Sequence, residues 1–288
     1  VAVSFNRPYG MYTQIFKPAL SIGSGEFLLW EYPLCYWLEQ QGYDVTYGSN
    51  ADGINVDFIT RCKTFLSVGH DEYWDIRQYQ AAETAIERGV NYLWLSGNSV
   101  FIVSPFSDSA TGTPKRTITR EGCYGVLRND EIESYEAMFA GLRDTGLDER
   151  HIIGARSVVP FNGGGDWTCT NPQHWLFQGT GMKRGESVAG LVGWEHHGEP
   201  DLDRHGLQVL AEGSVWAGGT REGKYAATIF PGGNGNFVFN AATIFWSQGL
   251  STPPGHILPW SHWSRPHGPD ARVQQMTANL LDQAIENS

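Results

Sequence analysis

The stretch TFLSVGHDEYW, residues 64–74, is the part of the sequence around which the rest is arranged. Its opening apolar run, residues 65–68, has the length and composition of a strand that is buried on both faces of a sheet. The run breaks at Gly69 and is followed by side chains that titrate, bind metals or stack, namely His70, Asp71, Glu72, Tyr73 and Trp74. A helix-like segment, residues 76–88, comes next. The polar cluster is therefore predicted at the carboxyl end of a strand, where open α/β sheets place their ligands.

The residues on either side extend this strand into an alternation of strands and helices. A strand-like opening, VAVSF, is followed by an apolar helix that Pro33 interrupts and Gly42 ends. Residues 43–47 and 90–96 add two further strands, and the second of them runs into Gly97-Asn98. This pattern predicts a parallel, right-handed α/β core over residues 1–100.

Beyond residue 100 the alternation weakens, and after about residue 150 the sequence becomes rich in glycine and tryptophan. We predict a helix at Glu131–Leu142 and strands at His151–Val158, Val188–Trp194, Leu207–Gly213, Tyr225–Pro231 and Asn236–Asn240. Residues 269–287 form an amphipathic closing helix with its apolar positions at Val273, Met276, Leu280, Leu281 and Ala284. The whole chain, residues 1–288, is predicted to be one domain, in which residues 101–268 contribute an insertion and additional strands.

Composition and charge restrict the class of protein. The chain has 288 residues, of which 41% are hydrophobic, so it is long enough to bury a large core. Its formal charge of −11 argues against nucleic-acid or anionic-membrane partners, because phosphate surfaces repel it. The sequence lacks an apolar run of the roughly 20 residues that a membrane helix needs, so a soluble, cytoplasmic protein is expected. The cysteines are widely spaced and are expected to be free.

The sequence lacks several common catalytic motifs. It has no GxSxG, Walker or HExxH pattern, and the turn after the strand at residues 90–96 carries Gly97-Asn98-Ser99 where a cysteine nucleophile would suggest a glutamine amidotransferase. Metal chemistry or acid–base chemistry built from His, Asp, Glu and Tyr is what remains.

Several motifs resemble the catalytic-domain region of the N,N-dimethylformamidase large subunit family. They are SFNRPY, WEYPLCYWLEQQGYDVTY, GHDEYW, YLWLSGN, GLVGWE and GNFVFNAATIFW, and together they extend over nearly the whole chain. The resemblance implies a glutamine-amidotransferase-like, flavodoxin-like α/β fold, in which a mostly parallel sheet carries helices on both faces and the cysteine nucleophile is lost. It also implies a mononuclear iron, held by two tyrosines and one glutamate, and hydrolysis of the C–N bond of small formamides.

Carried over residue by residue, the resemblance places the tyrosine ligands at Tyr32 of WEYP and Tyr73 of GHDEYW. The glutamate is expected at Glu121, with Glu195 as the alternative. Phenolate and carboxylate are hard oxygen donors that suit Fe³⁺, and two phenolates with one carboxylate balance its charge. A phenol of pKa about 10 ionises at neutral pH only beside a strong cation, so metal binding and phenolate formation are coupled.

Neighbouring side chains suggest the remaining catalytic roles. His70 or Glu72 could accept the proton of an attacking water, and Asn98 could donate a hydrogen bond to the developing oxyanion. Each residue also has a structural interpretation: Tyr32 as a half-buried core tyrosine, residues 70–72 as a turn with a helix cap, and Glu121 as an ion-paired loop residue.

Three hypotheses about function follow from these observations. The first is an iron-dependent hydrolase of a small amide, working with additional N-terminal domains, a small subunit or further copies of the chain. The second keeps the enzyme but replaces iron by zinc bound through His70, His196 or His197. The third is a non-catalytic module that binds carbohydrate or another ligand, or serves in assembly, through its tryptophan- and glycine-rich second half.

Overall fold

The structure is a computed structural model that describes residues 2–7, 26–125, 143–158, 163–217, 220–259, 264 and 267–287. Its helices are α1 (Phe27–Trp30), α2 (Tyr32–Gln41), α3 (Val56–Ile59), α4 (Ile76–Glu87), α5 (Arg150–Ile153) and α6 (Ala271–Glu286). The first nine strands are β1 (Ala2–Ser4), β2 (Thr64–His70), β3 (Tyr73–Trp74), β4 (Asn91–Gly97), β5 (Ile102–Val103), β6 (Phe106–Ser107), β7 (Thr117–Thr119), β8 (Gly122–Cys123) and β9 (Arg143–Asp144). The others are β10 (Ala155–Ser157), β11 (Gly165–Thr168), β12 (Ser187–Val192), β13 (His197–Pro200), β14 (Gln208–Ala217), β15 (Thr220–Pro231) and β16 (Phe237–Asn240).

The largest sheet has five strands in the order β14-β15-β16-β4-β2. The strands β2 and β4 run parallel and in register from Thr64↔Asn91 to His70↔Gly97. Strand β16 is also parallel to β4, whereas β15 and β14 continue the sheet with antiparallel pairing. Parallel pairing in this sheet is thus confined to β2, β4 and β16.

The predicted glutamine-amidotransferase-like, flavodoxin-like sheet is therefore wrong for this chain. Residues 43–47 form no strand, and β1 pairs antiparallel with β7 in a separate small sheet. The second parallel neighbour of β4 is β16, which comes from the far end of the sequence. A continuous apolar run shows that a strand is buried, but it does not reveal the direction of its neighbours, and that is why the prediction failed.

Several local predictions are confirmed. Pro33 lies in the first turn of α2, and Gly42 ends that helix at a φ of 78°. The second half forms strands near the predicted positions, except that residues 150–153 are helical, and the closing helix α6 buries the five apolar positions named above. The predicted helix at 131–142 lies outside the described residues, and the four cysteines form no disulfide with one another.

Strand β4 connects two hydrophobic clusters because its side chains alternate. Leu93 and Leu95 enter a cluster with residues of α2 and α6, whereas Tyr92 and Trp94 enter a second cluster with α4. The indole of Trp94 donates a hydrogen bond to the Ile152 carbonyl at 2.8 Å, so this buried polar group is satisfied. The end of β4 is consequently held in a fixed position. Within the described ranges, none of the helices is both long and apolar enough to cross a bilayer.

Asp270 caps the start of α6 and provides a test of how this helix is fixed. Its carboxylate accepts a hydrogen bond from the backbone N–H of Arg272 and two from the guanidinium, at 2.6 and 2.9 Å, and these bonds lower the pKa of Asp270 despite partial burial. A carboxylate whose pKa is lower in the folded than in the unfolded state stabilises the fold when the pH is above its unfolded-state pKa. This stabilisation is lost as the pH falls through the folded-state pKa.

We therefore expect Asp270→Asn to lower the free energy of unfolding at pH 7 by up to about 1 kcal/mol, the range for a carboxylate at a helix N-terminus. The gap to wild type should close below roughly pH 4, near the unfolded pKa of Asp. Denaturant unfolding between pH 7 and pH 3 measures this gap, with Asp282→Asn, an exposed change on the same helix, as the control. A gap that does not vary with pH would contradict the assignment.

Candidate functional site

The polar residues that follow β2 and β4 form one structural unit. The two strands end side by side at His70 and Gly97. Beyond them, the carbonyl of Asp71 accepts the N–H of Val100 at 3.1 Å, and the carbonyl of Glu72 accepts the N–H of Ile102 at 2.9 Å. These hydrogen bonds join the two strand-end loops, so their side chains are held relative to one another.

His70 lies among three carboxylates. Its Nδ1 is 2.7 Å from Glu26 Oε2, and its Nε2 is 3.4 Å from both Glu72 Oε2 and Glu195 Oε1. One ligand atom each from His70, Glu72 and Glu195 lie within 4.8 Å of one another, a spacing that could hold a metal ion. Glu72 and Glu195 are only 6% and 4% exposed, so this is a largely dry, acidic site.

The charges in this cluster shift one another's pKa values. Burial opposes the charged form of His70, but the carboxylates of Glu195, Glu26 and Glu72 outweigh it and raise the pKa of His70 well above its usual value. Burial raises the pKa of Glu195 to about 7, although the charge of His70 acts in the opposite direction. One imidazolium therefore balances only part of the negative charge, and the site favours a further cation.

The carboxylate of Glu195 is the group in this cluster that best fits a metal ion. Among the residues that the structure describes, its buried Oε2 has no hydrogen-bond partner. A buried carboxylate oxygen without a donor is costly, since it has lost its water and gained nothing in return. A hard cation bound to this oxygen would remove the cost, so the donor set fits a metal such as iron.

Asn98 is the second unsatisfied group at these strand ends. It is fully buried, and both atoms of its side-chain amide are without a hydrogen-bond partner in the described part of the chain. Its φ of 53° places it in the left-handed region, which is uncommon for a residue other than glycine. Strain and unsatisfied polar groups occur together at functional positions more often than elsewhere.

The tyrosines predicted as metal ligands occupy different environments. Tyr73 is 40% exposed, and burial followed by the charge of Glu72 raises the pKa of Tyr73 to about 12. The ring of Tyr32 lies 6.2 Å from that of Phe27 and 6.1 Å from that of Tyr36. Tyr73 thus lies beside the carboxylate cluster, and the ligand role of both tyrosines stays a prediction.

The two glutamates considered as the third ligand lie in different environments. Glu121 is exposed, and its backbone N–H donates to the Val103 carbonyl. Glu195 is buried and directly contacts His70. The structure therefore brings Glu195, and not Glu121, together with His70 and Glu72.

Two further carboxylates of this site were missed by the sequence reasoning. Glu26 contacts His70 directly, and burial raises the pKa of Glu31 to about 7, with the charges of Glu26 and Asp71 adding to the effect. Both lie in the run GEFLLWEYP, where acidic residues interrupt an otherwise apolar helical pattern. That interruption was the signal that could have identified them.

The histidine pair after Glu195 has a different role from His70. His197 accepts the N–H of Ser99 at its Nε2 and contacts Asn240 Oδ1 through its Nδ1, so both of its nitrogens are used. Burial lowers the pKa of His196 to about 3 and that of His197 to about 4, so both are neutral at pH 7. Of the three histidines considered for zinc, His70 belongs to the metal-capable cluster identified among the described residues.

Comparison with known families adds the decisive observation. Residues 1–260 match the family described as N,N-dimethylformamidase beta subunit-like, C-terminal. The chain belongs to this family. The resemblance found in the sequence motifs is thereby confirmed, and the cluster around His70 lies inside the region that the dimethylformamidase-like family covers. No individual curated protein matched the chain.

Proposed function

We propose that this chain is the catalytic part of a metal-dependent amidohydrolase that cleaves the C–N bond of a small amide such as a formamide. The observation that carries the proposal is the convergence of His70, Glu72 and the unpaired carboxylate of Glu195, in a member of the dimethylformamidase-like family. Hydrolysis adds water across the C–N bond and gives a carboxylic acid and an amine.

The metal in this proposal is iron, held by Glu195 together with Tyr73 and Tyr32. Glu195 takes the position of the third ligand because its free oxygen is buried in the cluster, whereas Glu121 is exposed. The raised pKa of Tyr73 means that its phenol stays protonated at neutral pH without a bound cation, so binding must displace this proton. A bound ferric ion supplies a Lewis acid that polarises an amide carbonyl and acidifies water.

Zinc is the alternative cofactor, and a specific observation favours it. His70, Glu72 and Glu195 alone provide one nitrogen and two carboxylates within 4.8 Å, and both donor types bind zinc. The two metals differ in colour, because a phenolate bound to Fe³⁺ absorbs visible light and zinc does not.

The neighbouring side chains supply proton transfer and charge stabilisation. His70 Nε2 and Glu72 Oε2 both face the Glu195 carboxylate. A bound cation would lower the pKa of His70, so that either group could accept a proton released at this point. The buried amide of Asn98 has donors that no described group accepts, and it is the candidate to stabilise the developing oxyanion. The family description names a beta subunit, so we also propose that the chain works within a larger assembly.

Tyr73→Phe tests the proposal most directly. We expect the iron-loaded wild-type chain to absorb visible light and to release dimethylamine from N,N-dimethylformamide. Tyr73→Phe should weaken and shift the absorption band, since Tyr32 remains as the second phenolate, and should slow hydrolysis by about 100-fold or more, because it removes a metal ligand. Tyr47→Phe, which changes an exposed tyrosine hydrogen-bonded to Glu39, is the matched control and should retain both.

Two results would contradict the proposal. If Tyr73→Phe keeps the colour and the rate of the control, Tyr73 is not a ligand. If the wild-type chain, supplied with iron or zinc, binds neither metal and hydrolyses no amide, the chain is better described as a ligand-binding module.

A further inference from the structure

Glu26 has an environment that its position in the sequence does not explain. It directly precedes α1, where a carboxylate normally accepts a hydrogen bond from the backbone of the first turn. Its side chain makes no such capping bond. A single oxygen, Oε2, instead lies 2.7 Å from His70 Nδ1 and accepts the indole N–H of Trp30 at 3.0 Å. The carboxylate is therefore directed at the imidazole and away from its own helix.

The surroundings of Glu26 hold it in this direction. Trp30 is fully buried, and its ring stacks on Phe245 and meets the edge of Trp194. It also packs so closely against Gly69 that a Cβ at that position would overlap its side chain. Because Gly69 directly precedes His70, the indole that donates to Glu26 also fixes the backbone that carries the imidazole.

The two nitrogens of His70 thus face carboxylates on two different sides of the ring. Nδ1 meets Glu26 on the α1 side, and Nε2 meets Glu72 and Glu195 on the side of the proposed metal. A carboxylate that accepts from one ring nitrogen keeps the proton there, fixes the ring orientation and increases the basicity of the other nitrogen.

From this geometry we infer that Glu26 is a positioning residue: it keeps the proton of His70 on Nδ1 and turns Nε2 toward Glu72 and Glu195. The inference rests on the proposed function, in which Nε2 takes part in amide hydrolysis. Glu26 itself contacts neither substrate nor metal and acts through His70.

Glu26→Gln and Glu26→Ala separate charge from hydrogen bonding. The carboxamide oxygen of Gln can accept from both His70 and Trp30, whereas Ala removes both bonds. Glu39→Gln is the matched control, because it neutralises an exposed glutamate in the following helix. The first measurement is the ¹⁵N and ¹H NMR signal of the His70 ring in the metal-free chain, assigned with His70→Asn. The second is kcat and KM for amide hydrolysis, with the metal content of each variant.

We expect wild type and Glu26→Gln to show a slowly exchanging Nδ1–H signal and Glu26→Ala to lose it. Both variants should lower kcat by about 10- to 100-fold, the range for residues that hydrogen-bond to and orient the side chains of a metal site. KM, the metal content and the behaviour of Glu39→Gln should stay close to wild type, because substrate and metal contacts are unchanged.

The outcomes distinguish this inference from the proposed function. If wild type hydrolyses amides and Glu26→Ala keeps either the Nδ1–H signal or the kcat of the control, the inference fails while the function stands. If no form of the chain hydrolyses an amide, the proposed function fails, and the loss or survival of the Nδ1–H signal in Glu26→Ala still decides whether Glu26 holds this proton.

Discussion

Glu195→Gln should reduce amide hydrolysis by about 10²- to 10⁴-fold, the range for a group that takes part directly in proton transfer or charge stabilisation. The variant should also lose its bound iron, because the neutral amide replaces the carboxylate whose free oxygen faces the cluster. Glu121→Gln should leave both quantities unchanged, since Glu121 is exposed. The pair of variants therefore decides which glutamate is the third ligand. Metal analysis and the rate of amine release measure the two effects.

Stability provides the control for this comparison. Burial raises the pKa of Glu195 to about 7, so the metal-free fold gains little from its charged form. Glutamine has the same shape and carries no charge, and the thermal midpoint of metal-free Glu195→Gln should be no lower than that of wild type. If Glu121→Gln loses iron while Glu195→Gln keeps it, the site proposed at Glu195 is wrong.

Gly97→Ala should lower the free energy of unfolding by about 3 kcal/mol, at the upper end of the cost of overpacking. A Cβ at this position would overlap the Glu195 carbonyl and lie 2.8 Å from the Ile244 nitrogen. Both are backbone atoms, and they are hydrogen-bonded to each other at 3.1 Å, so neither yields easily. The displacement would also move Glu195 away from His70, and we expect activity to fall together with stability.

Gly233→Ala is the matched control for this substitution. Gly233 lies in the turn between β15 and β16, where a Cβ would meet nothing within 4 Å. Its replacement should change the unfolding free energy by less than about 1 kcal/mol, and a small gain is expected from the restricted unfolded chain. Denaturant unfolding of both variants measures the difference. Equal effects would show that the contact between Gly97 and Glu195 is not as tight as described.

The sequence was sufficient to locate the candidate site but not to predict all the residues that meet there. The apolar run before Gly69 and the polar residues after it identified the end of a buried strand, and His70 and Glu72 lie there. The contact of Glu195 could not be predicted in the same way. It depends on a loop after β12 that packs on Gly97, and no spacing or periodicity encodes an approach between such distant segments. The expectation of Glu121 depends on its resemblance to the acidic residue that follows the Gly-Asn strand in the family.

The fold was predictable in its local elements and not in its pairing. Pro33 and Gly42 set the limits of α2, and the helical period set the buried face of α6, because caps and periodicity are local properties. The direction of β14 and β15 depends instead on how a long hairpin joins the sheet. Residues 43–47 alternate as a strand does, yet Tyr43 and Val45 pack against the core without a strand partner.

The position of β16 has a consequence for how the protein is made. This strand comes late in the chain, yet it occupies the place beside β4 in the middle of the sheet. Until residue 240 has emerged from the ribosome, one edge of β4 in the nascent chain has no strand to pair with. Exposed apolar strand edges promote aggregation. Contacts between such distant segments also slow folding. The order of synthesis thus makes the completion of this sheet a late event. A chaperone that binds the unpaired edge of β4 would be most useful before that event.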